Sequence, residues 1–217
     1  MSKNILTEFV NEHLQEITPE PDQDLKRLQK EALAKDIPII DTEVGEFLSL
    51  LIAIQRPQKI LELGTGTGYS TLWLAKDNQA QIVTIELKER EAKVARRNFA
   101  QLGLENRVEL LVGDAVQIMA DLEPEFDLVF IDAAKGQYLE YLEKALAITK
   151  EQGLIVADNI LFKGMISNDE LMHPRYDTLV YRLREYIDRV MEDPNLKSSI
   201  LPLGDGLAIS LKLGADA

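Results

Sequence analysis

The sequence predicts an α/β fold: a doubly wound, seven-stranded, mostly parallel sheet with an antiparallel strand in its C-terminal hairpin and helices at its N-terminus. Three observations carry this expectation. Short apolar runs alternate with amphipathic helical patterns from residue 59 onward, as in successive βαβ units. The stretch KILELGTGTGYS (59–70) reads as a buried strand, a glycine turn and a helix start. The step Asp205-Gly206, between SSILPL and LAISLKL, marks a hairpin.

The 217 residues suffice for one domain with a sizeable core, divided into a helical segment (1–55) and an α/β core (56–217). Ile5, Phe9, Val10, Leu14 and Ile17 recur at helical spacing until TPEP (18–21) breaks the run. A second helix spans Asp24 to Lys35, with Leu25, Leu28, Ala32 and Leu33 on one face. IPII (37–40) is an extended link, because the residue before Pro38 avoids the α region. Asp41 or Thr42 caps a third helix running through Ile54, with Val44, Phe47, Leu48 and Leu51 buried. Strands follow at 59–63, 81–86, 108–113, 126–132 and 153–158. The intervening helices cover 69–76, 88–102 (closed by Gly103), a short piece from Ala115, and about 136–149. A long helix at 174–192 carries Leu179, Leu183, Tyr186 and Val190 at core spacing.

Composition excludes several classes. Cysteine is absent, so thiolate catalysis and disulfide scaffolds are ruled out. The net charge of −13 argues against indiscriminate nucleic-acid binding. No apolar run approaches a membrane span, and the charged N-terminus is unlike a signal peptide, so a soluble cytoplasmic protein is expected.

The candidate chemistry sits at strand ends. Glycines 64, 66 and 68 let a ligand approach bare backbone, and the following helix start offers free N–H groups. A dinucleotide fingerprint needs glycine where Tyr69 stands, and no Tyr-x-x-x-Lys pair exists; both oppose a nicotinamide-dependent oxidoreductase. Glu86 ends the second strand about twenty residues past the turn, where a ribose partner belongs. Glu62, Asp114, Asp132 and Asp158 fall at the C-terminal ends of the other strands. If the fourth and fifth strands are neighbours, Asp132 and Asp158-Asn159 converge. Two carboxylates and a carboxamide suit Mg²⁺, Mn²⁺ or Ca²⁺; with only His13 and His173 available, zinc does not fit. Lys135, three residues past Asp132, is a candidate general base.

The run from Glu62, E-x-G-x-G-x-G, resembles the first motif of the Rossmann-like class I S-adenosylmethionine-dependent methyltransferases. With FIDAAKGQY and ADNILFKG it resembles, over nearly the whole chain, the cation-dependent O-methyltransferases of catechol and caffeoyl-CoA type. That resemblance implies Asp132, Asp158 and Asn159 as metal ligands and Lys135, beside Asp132, as the catalytic base. It implies a cofactor site of Glu62, Gly64, Thr65, Gly66, Gly68, Tyr69, Ser70, Glu86, Asp114, Ala115 and Asp132, joined by Ile40. Asp114 would reach the adenine amino group beside the Ala115 backbone. IDAAKGQY, DN-x-LFKG and GDGLAIS further resemble bacterial members that methylate 5-hydroxyuridine in the tRNA anticodon to 5-methoxyuridine. A tRNA partner would then meet Lys26, Arg27, Lys30, Lys35, Lys163, Arg175, Arg182 and Arg184. A small catechol or phenol acceptor is the alternative, which the charge balance favours. The resemblance also implies a homodimer.

Overall fold

The computed structural model describes residues 13–14, 16–123, 125–171 and 173–214. Ile5, Phe9 and Val10 of the first expected helix lie outside these residues, and Leu14 and Ile17 are exposed rather than packed. Helices α1 (Gln23–Leu33) and α2 (Thr42–Gln55) precede β1 (Lys59–Leu63), α3 (Tyr69–Ala75), β2 (Gln81–Glu86), α4 (Glu89–Gln101) and β3 (Val108–Val112). Then come α5 (Ala115–Ala120), β4 (Phe126–Ile131), α6 (Tyr138–Ile148), β5 (Thr149–Ala157), α7 (Asp177–Glu192), β6 (Leu196–Leu201) and β7 (Leu207–Lys212). Among the described residues no helix is long and apolar enough to cross a membrane.

Caps and breakers set the boundaries. Asp22 caps α1 by accepting from Leu25 N, and Arg56 closes α2 in the left-handed region (φ 51°), just before Pro57. The buried face of α1 is Leu25, Leu28 and Ala32; Leu33, expected beside them, is 64% exposed at the helix end. On α2 the buried set is Val44, Gly45, Leu48 and Ile52, while Phe47 and Leu51 are only half-buried against it. Gly45 permits that choice of face. A Cβ there would lie 2.4 Å from Cε2 of the fully buried Trp73, so glycine lets α2 settle directly on α3.

The seven strands stand in the order β3-β2-β1-β4-β5-β7-β6. The first five are parallel, and β7 runs antiparallel to both β5 and β6. The antiparallel strand is therefore the chain's last, yet it lies inside the sheet, and β6 takes the edge. β5 begins at Thr149, earlier than its apolar run suggests, because a polar stretch joins the ladder through a register shift. Gln152 (φ 61°) and Gly153 absorb that irregularity before Leu154 pairs with Leu128.

Side chains on β4 alternate between two cores. Leu128 and Phe130 join the layer with α2, α3 and Trp73, while Val129 and Ile131 join the layer with α6 and α7. Both faces are apolar, as a parallel sheet covered on each side requires. From β1 the chain winds outward through β2 and β3, then returns to β4 on the other side. The strand order reverses between β1 and β4, and the crevice above their C-terminal ends is where such a sheet takes its ligand.

Candidate active site

Three backbone bonds extend the parallel ladder one residue past the strands. Gly64 N donates to Ile85 O at 2.9 Å, Asp132 N to Leu63 O at 2.9 Å, and Asp158 N to Ile131 O at 3.0 Å. Positions 64, 132 and 158 therefore stand side by side at the switch point. Gly64 has φ +97°, and a Cβ on it would lie 2.0 Å from Asp132 O. No larger residue fits between these two strand ends.

The loop then turns through Gly66 (φ +55°) and Gly68 (φ +86°) into α3. Gly66 N donates to Glu86 Oε2 at 2.9 Å, and Lys88 N donates to Glu86 Oε1 at 2.9 Å. Glu86 thus ties the loop to the end of β2. A cavity of about 470 Å³ opens over this arrangement. Of the residues expected at the cofactor site, Ile40, Gly64, Thr65, Gly66, Tyr69, Ser70, Glu86, Asp114, Ala115 and Asp132 line it, and Lys135 lines it too. Asp114 has a second task, since its Oδ1 accepts from Gln117 N at 3.1 Å and caps α5.

Glu62 and Gly68 do not line the cavity. Glu62 is fully buried beneath the loop and accepts from the Ser70 hydroxyl at 2.5 Å, from Thr84 at 2.6 Å and from Thr71. Its carboxylate thereby joins β1, β2 and the start of α3. It supports the loop from below, and its oxygens are engaged by those three hydroxyls. Gly68 makes room for α4: a Cβ there would meet the Phe99 ring at 2.5 Å.

Burial pushes the Glu62 carboxyl from 4.5 up to about 7; its three hydroxyl donors pull the other way, and the charge of Asp132 adds to the rise. The folded carboxyl holds its proton to about pH 7, whereas the unfolded one releases it near 4.5. Its stabilising contribution is complete below pH 4.5 and is lost as pH rises through 7. Glu62→Gln is expected to flatten the pH dependence of stability across that window, by about 3 kcal/mol at most. Urea unfolding midpoints at pH 5 and pH 8 measure this, and parallel curves for variant and parent would contradict it.

Asp158 is also buried. Burial first, and then the neighbouring Asp132 charge, raise its carboxyl from 3.8 to about 7. The Asp132 carboxyl is likewise raised by burial, with Lys135 pulling it down. Asn159 adopts a left-handed conformation (φ 56°), and its Oδ1 accepts from Lys135 Nζ at 2.7 Å. Two repelling carboxylates, Asp158 buried and Asp132 half-buried at the cavity wall, stand beside a carboxamide as a hard-oxygen donor set. That set fits a divalent cation. Among the described residues no three His, Asp or Glu side chains converge, so a cation here would rest on two carboxylates and one carboxamide. Asp158 and Asn159 themselves lie beside the cavity rather than in its wall.

Several wall residues were not among those expected at the cofactor site. Lys35 to Ile39 form one side, with Ile37 Cγ2 3.6 Å from where a Gly66 Cβ would stand. Gln137 and Tyr141 form another, joined by a bond from the Tyr141 hydroxyl to Gln137 Oε1 at 2.9 Å. Leu87 was findable: it is an apolar residue directly after Glu86 at a strand end, and it stands 63% exposed.

Comparison with known proteins gives a consistent picture. The sequence profile of the O-methyltransferase family matches residues 15–213. A catechol O-methyltransferase of Niastella koreensis is 38% identical over 136 residues, covering 60% of this chain and 62% of that one. One of Mycobacterium tuberculosis is 38% identical over 130 residues, covering 58% and 59%. The matched segment thus spans about 60% of the length of these two relatives. The crystal structure of an O-methyltransferase from Bacillus cereus in complex with SAH superposes with a TM-score of 0.82 at 29% identity, covering 94% of this chain and 97% of that one.

Proposed function

The chain belongs to the O-methyltransferase family, and from that premise we propose that it transfers a methyl group from S-adenosylmethionine to a hydroxyl, with a divalent cation at Asp132, Asp158 and Asn159. The observation that carries the reading is the junction of two sites. The glycine-loop cavity and the Asp132–Asp158–Asn159 cluster meet at Asp132, and Lys135 serves both.

S-adenosylmethionine, when bound, supplies an electrophilic methyl on a positively charged sulfur. A divalent cation, when bound, supplies Lewis acidity that favours the ionised acceptor oxygen. The remaining work falls to the chain's own side chains. Glu86 keeps lone pairs free for ribose hydroxyls beyond the two backbone N–H groups it already accepts. Gly64 and Gly66 let the loop backbone approach the ligand. Lys135, with Nζ held at the Asn159 carboxamide, takes the acceptor's proton as general base. The cavity's main contribution is to hold the acceptor oxygen in line with the methyl carbon.

The acceptor in this proposal is 5-hydroxyuridine in tRNA. Its 5-hydroxyl and 4-carbonyl present a pair of adjacent oxygens, as a catechol does, so one donor set serves either. The segments IDAAKGQY, DN-x-LFKG and GDGLAIS support the tRNA reading. So does the loop after Asn159, where Lys163 and Arg175 form no ion pair among the described residues. Arg175 lies 5.6 Å from the Tyr176 ring centroid, and Phe162 meets Tyr176 edge-on at 5.3 Å. An exposed cation over an aromatic ring suits stacking with nucleotides.

A small catechol-type acceptor is the second reading. It is favoured by the names of the two relatives and by the net charge of −13. It is also favoured by the pairing of five candidate cations: Lys26 with Glu20, Arg27 with Asp24, Lys35 with Glu31, Arg182 with Glu140 and Arg184 with Asp169. A homodimer belongs to the same proposal, supported by the exposed Leu50 and Ile54 on one face of α2. Competition between tRNA bearing 5-hydroxyuridine and a simple catechol for labelled methyl decides the acceptor. Preferential labelling of tRNA is expected; preferential labelling of catechol would replace it with the second reading.

A further inference from the structure

The peptide unit between Asp158 and Asn159 is pinned at both ends. Its N–H, from Asn159, donates to Asp158 Oδ1 at 2.7 Å. Its carbonyl, on Asp158, accepts from the Tyr138 hydroxyl at 2.9 Å. This carbonyl lies one residue past the last β4–β5 pair, Ile131 with Ala157, where the strand ladder has no further partner for it. The chain then turns into the left-handed conformation of Asn159. The orientation of this one peptide plane sets the directions in which both the Asp158 and the Asn159 side chains leave the backbone.

Tyr138 is well placed to hold it. It is the first residue of α6, it is fully buried, and its ring packs edge-on against Tyr186 at 5.6 Å and tilted against Tyr141 at 6.2 Å. Its hydroxyl also stands 3.5 Å from Ile131 O, the carbonyl that accepts from Asp158 N. One hydroxyl therefore sits between the ends of the two strands that carry Asp132 and Asp158. A single proton makes one good bond, and the 2.9 Å contact to Asp158 O is that bond.

We propose that Tyr138 is a positioning residue for the Asp132–Asp158–Asn159 donor set: its hydroxyl fixes the Asp158–Asn159 peptide plane and thereby aims both side chains. The proposal rests on the divalent-cation reading above. It assigns to the hydroxyl a role beyond filling space, because the ring alone would serve for packing. The neighbouring Tyr186 provides the comparison, since it is equally buried and its hydroxyl has no hydrogen-bond partner among the described residues.

The test compares Tyr138→Phe and Tyr186→Phe with the parent protein, using Mn²⁺ as probe by electron paramagnetic resonance and S-adenosylmethionine by calorimetry. Tyr138→Phe is expected to weaken Mn²⁺ binding about 10- to 100-fold, the usual effect of removing a group that orients a metal ligand. Its affinity for S-adenosylmethionine stays within about twofold of the parent, because the glycine loop keeps its own supports. Tyr186→Phe leaves both affinities unchanged. Parent-like Mn²⁺ binding by Tyr138→Phe overturns the proposal while leaving the cation reading standing. Equal loss of both ligands, or failure to fold, shows a merely stabilising hydroxyl and also overturns it. If the parent itself binds no Mn²⁺, the cation reading falls and the proposal falls with it.

Discussion

Asp158→Ala is expected to abolish cation-dependent methyl transfer, lowering kcat about a hundred- to a thousandfold, while S-adenosylmethionine binding changes by no more than about twofold. Asp158 is buried at the end of β5, directly beside Asp132 at the end of β4, and it does not line the glycine-loop cavity. Removing it therefore takes away one of the two carboxylates and leaves the cofactor's walls in place. The substitution also removes the acceptor that engages Asn159 N, so the carboxamide loses its aim as well. Relief of the repulsion between Asp132 and the buried Asp158 makes the folded variant at least as stable as the parent in chelator, because an uncompensated buried charge is costly. Steady-state kinetics with and without Mg²⁺, together with a thermal melt in chelator, check both halves. Parent-like turnover by the variant would remove Asp158 from the donor set.

Gly64→Ala acts on the other half of the site. Its Cβ would lie 2.0 Å from Asp132 O, a backbone atom that cannot rotate away, and the φ of +97° is strained for any L side chain. The strand ends must separate or the loop must rebuild. The expected result is loss of more than about 3 kcal/mol of stability, with S-adenosylmethionine binding lost in whatever fraction stays folded. Gly66→Ala is the natural comparison. It shares the left-handed backbone, but its Cβ would meet only Ile37 at 3.6 Å, ordinary contact distance. It should cost about 1–2 kcal/mol from conformation alone. Equal damage from the two substitutions would mean that backbone conformation, not the approach to Asp132, makes Gly64 necessary.

Much of this was legible because the signals are local. Each parallel strand is a short apolar run, and an acid or glycine one residue past the run must sit at the C-terminal edge of the sheet. Asp132 and Asp158 follow that rule, and the structure brings them together. Glu62 shows its limit. It has the same acidic character, but it lies within β1 rather than beyond it, under the loop and against Ser70, Thr71 and Thr84. Local pattern gives its strand, not the depth at which its carboxylate ends. The position of β7 between β5 and β6 was also illegible, since a hairpin signal fixes pairing but not which strand faces the sheet. The wall formed by Lys35 to Ile39 depends on where α1 and α2 dock, which rests on contacts as distant in sequence as Gly45 with Trp73. Tyr138 appears in the sequence only as the last residue of IDAAKGQY; the bond to Asp158 O is what sets it apart.

The measurement that bears most directly on the account is transfer of labelled methyl from S-adenosylmethionine to tRNA bearing 5-hydroxyuridine and to a simple catechol, each with Mg²⁺ and with chelator. The account predicts labelling of a hydroxyl acceptor that requires Mg²⁺ and disappears in chelator. Labelling that proceeds equally in chelator, or no labelling of either acceptor with Mg²⁺ present, would contradict it.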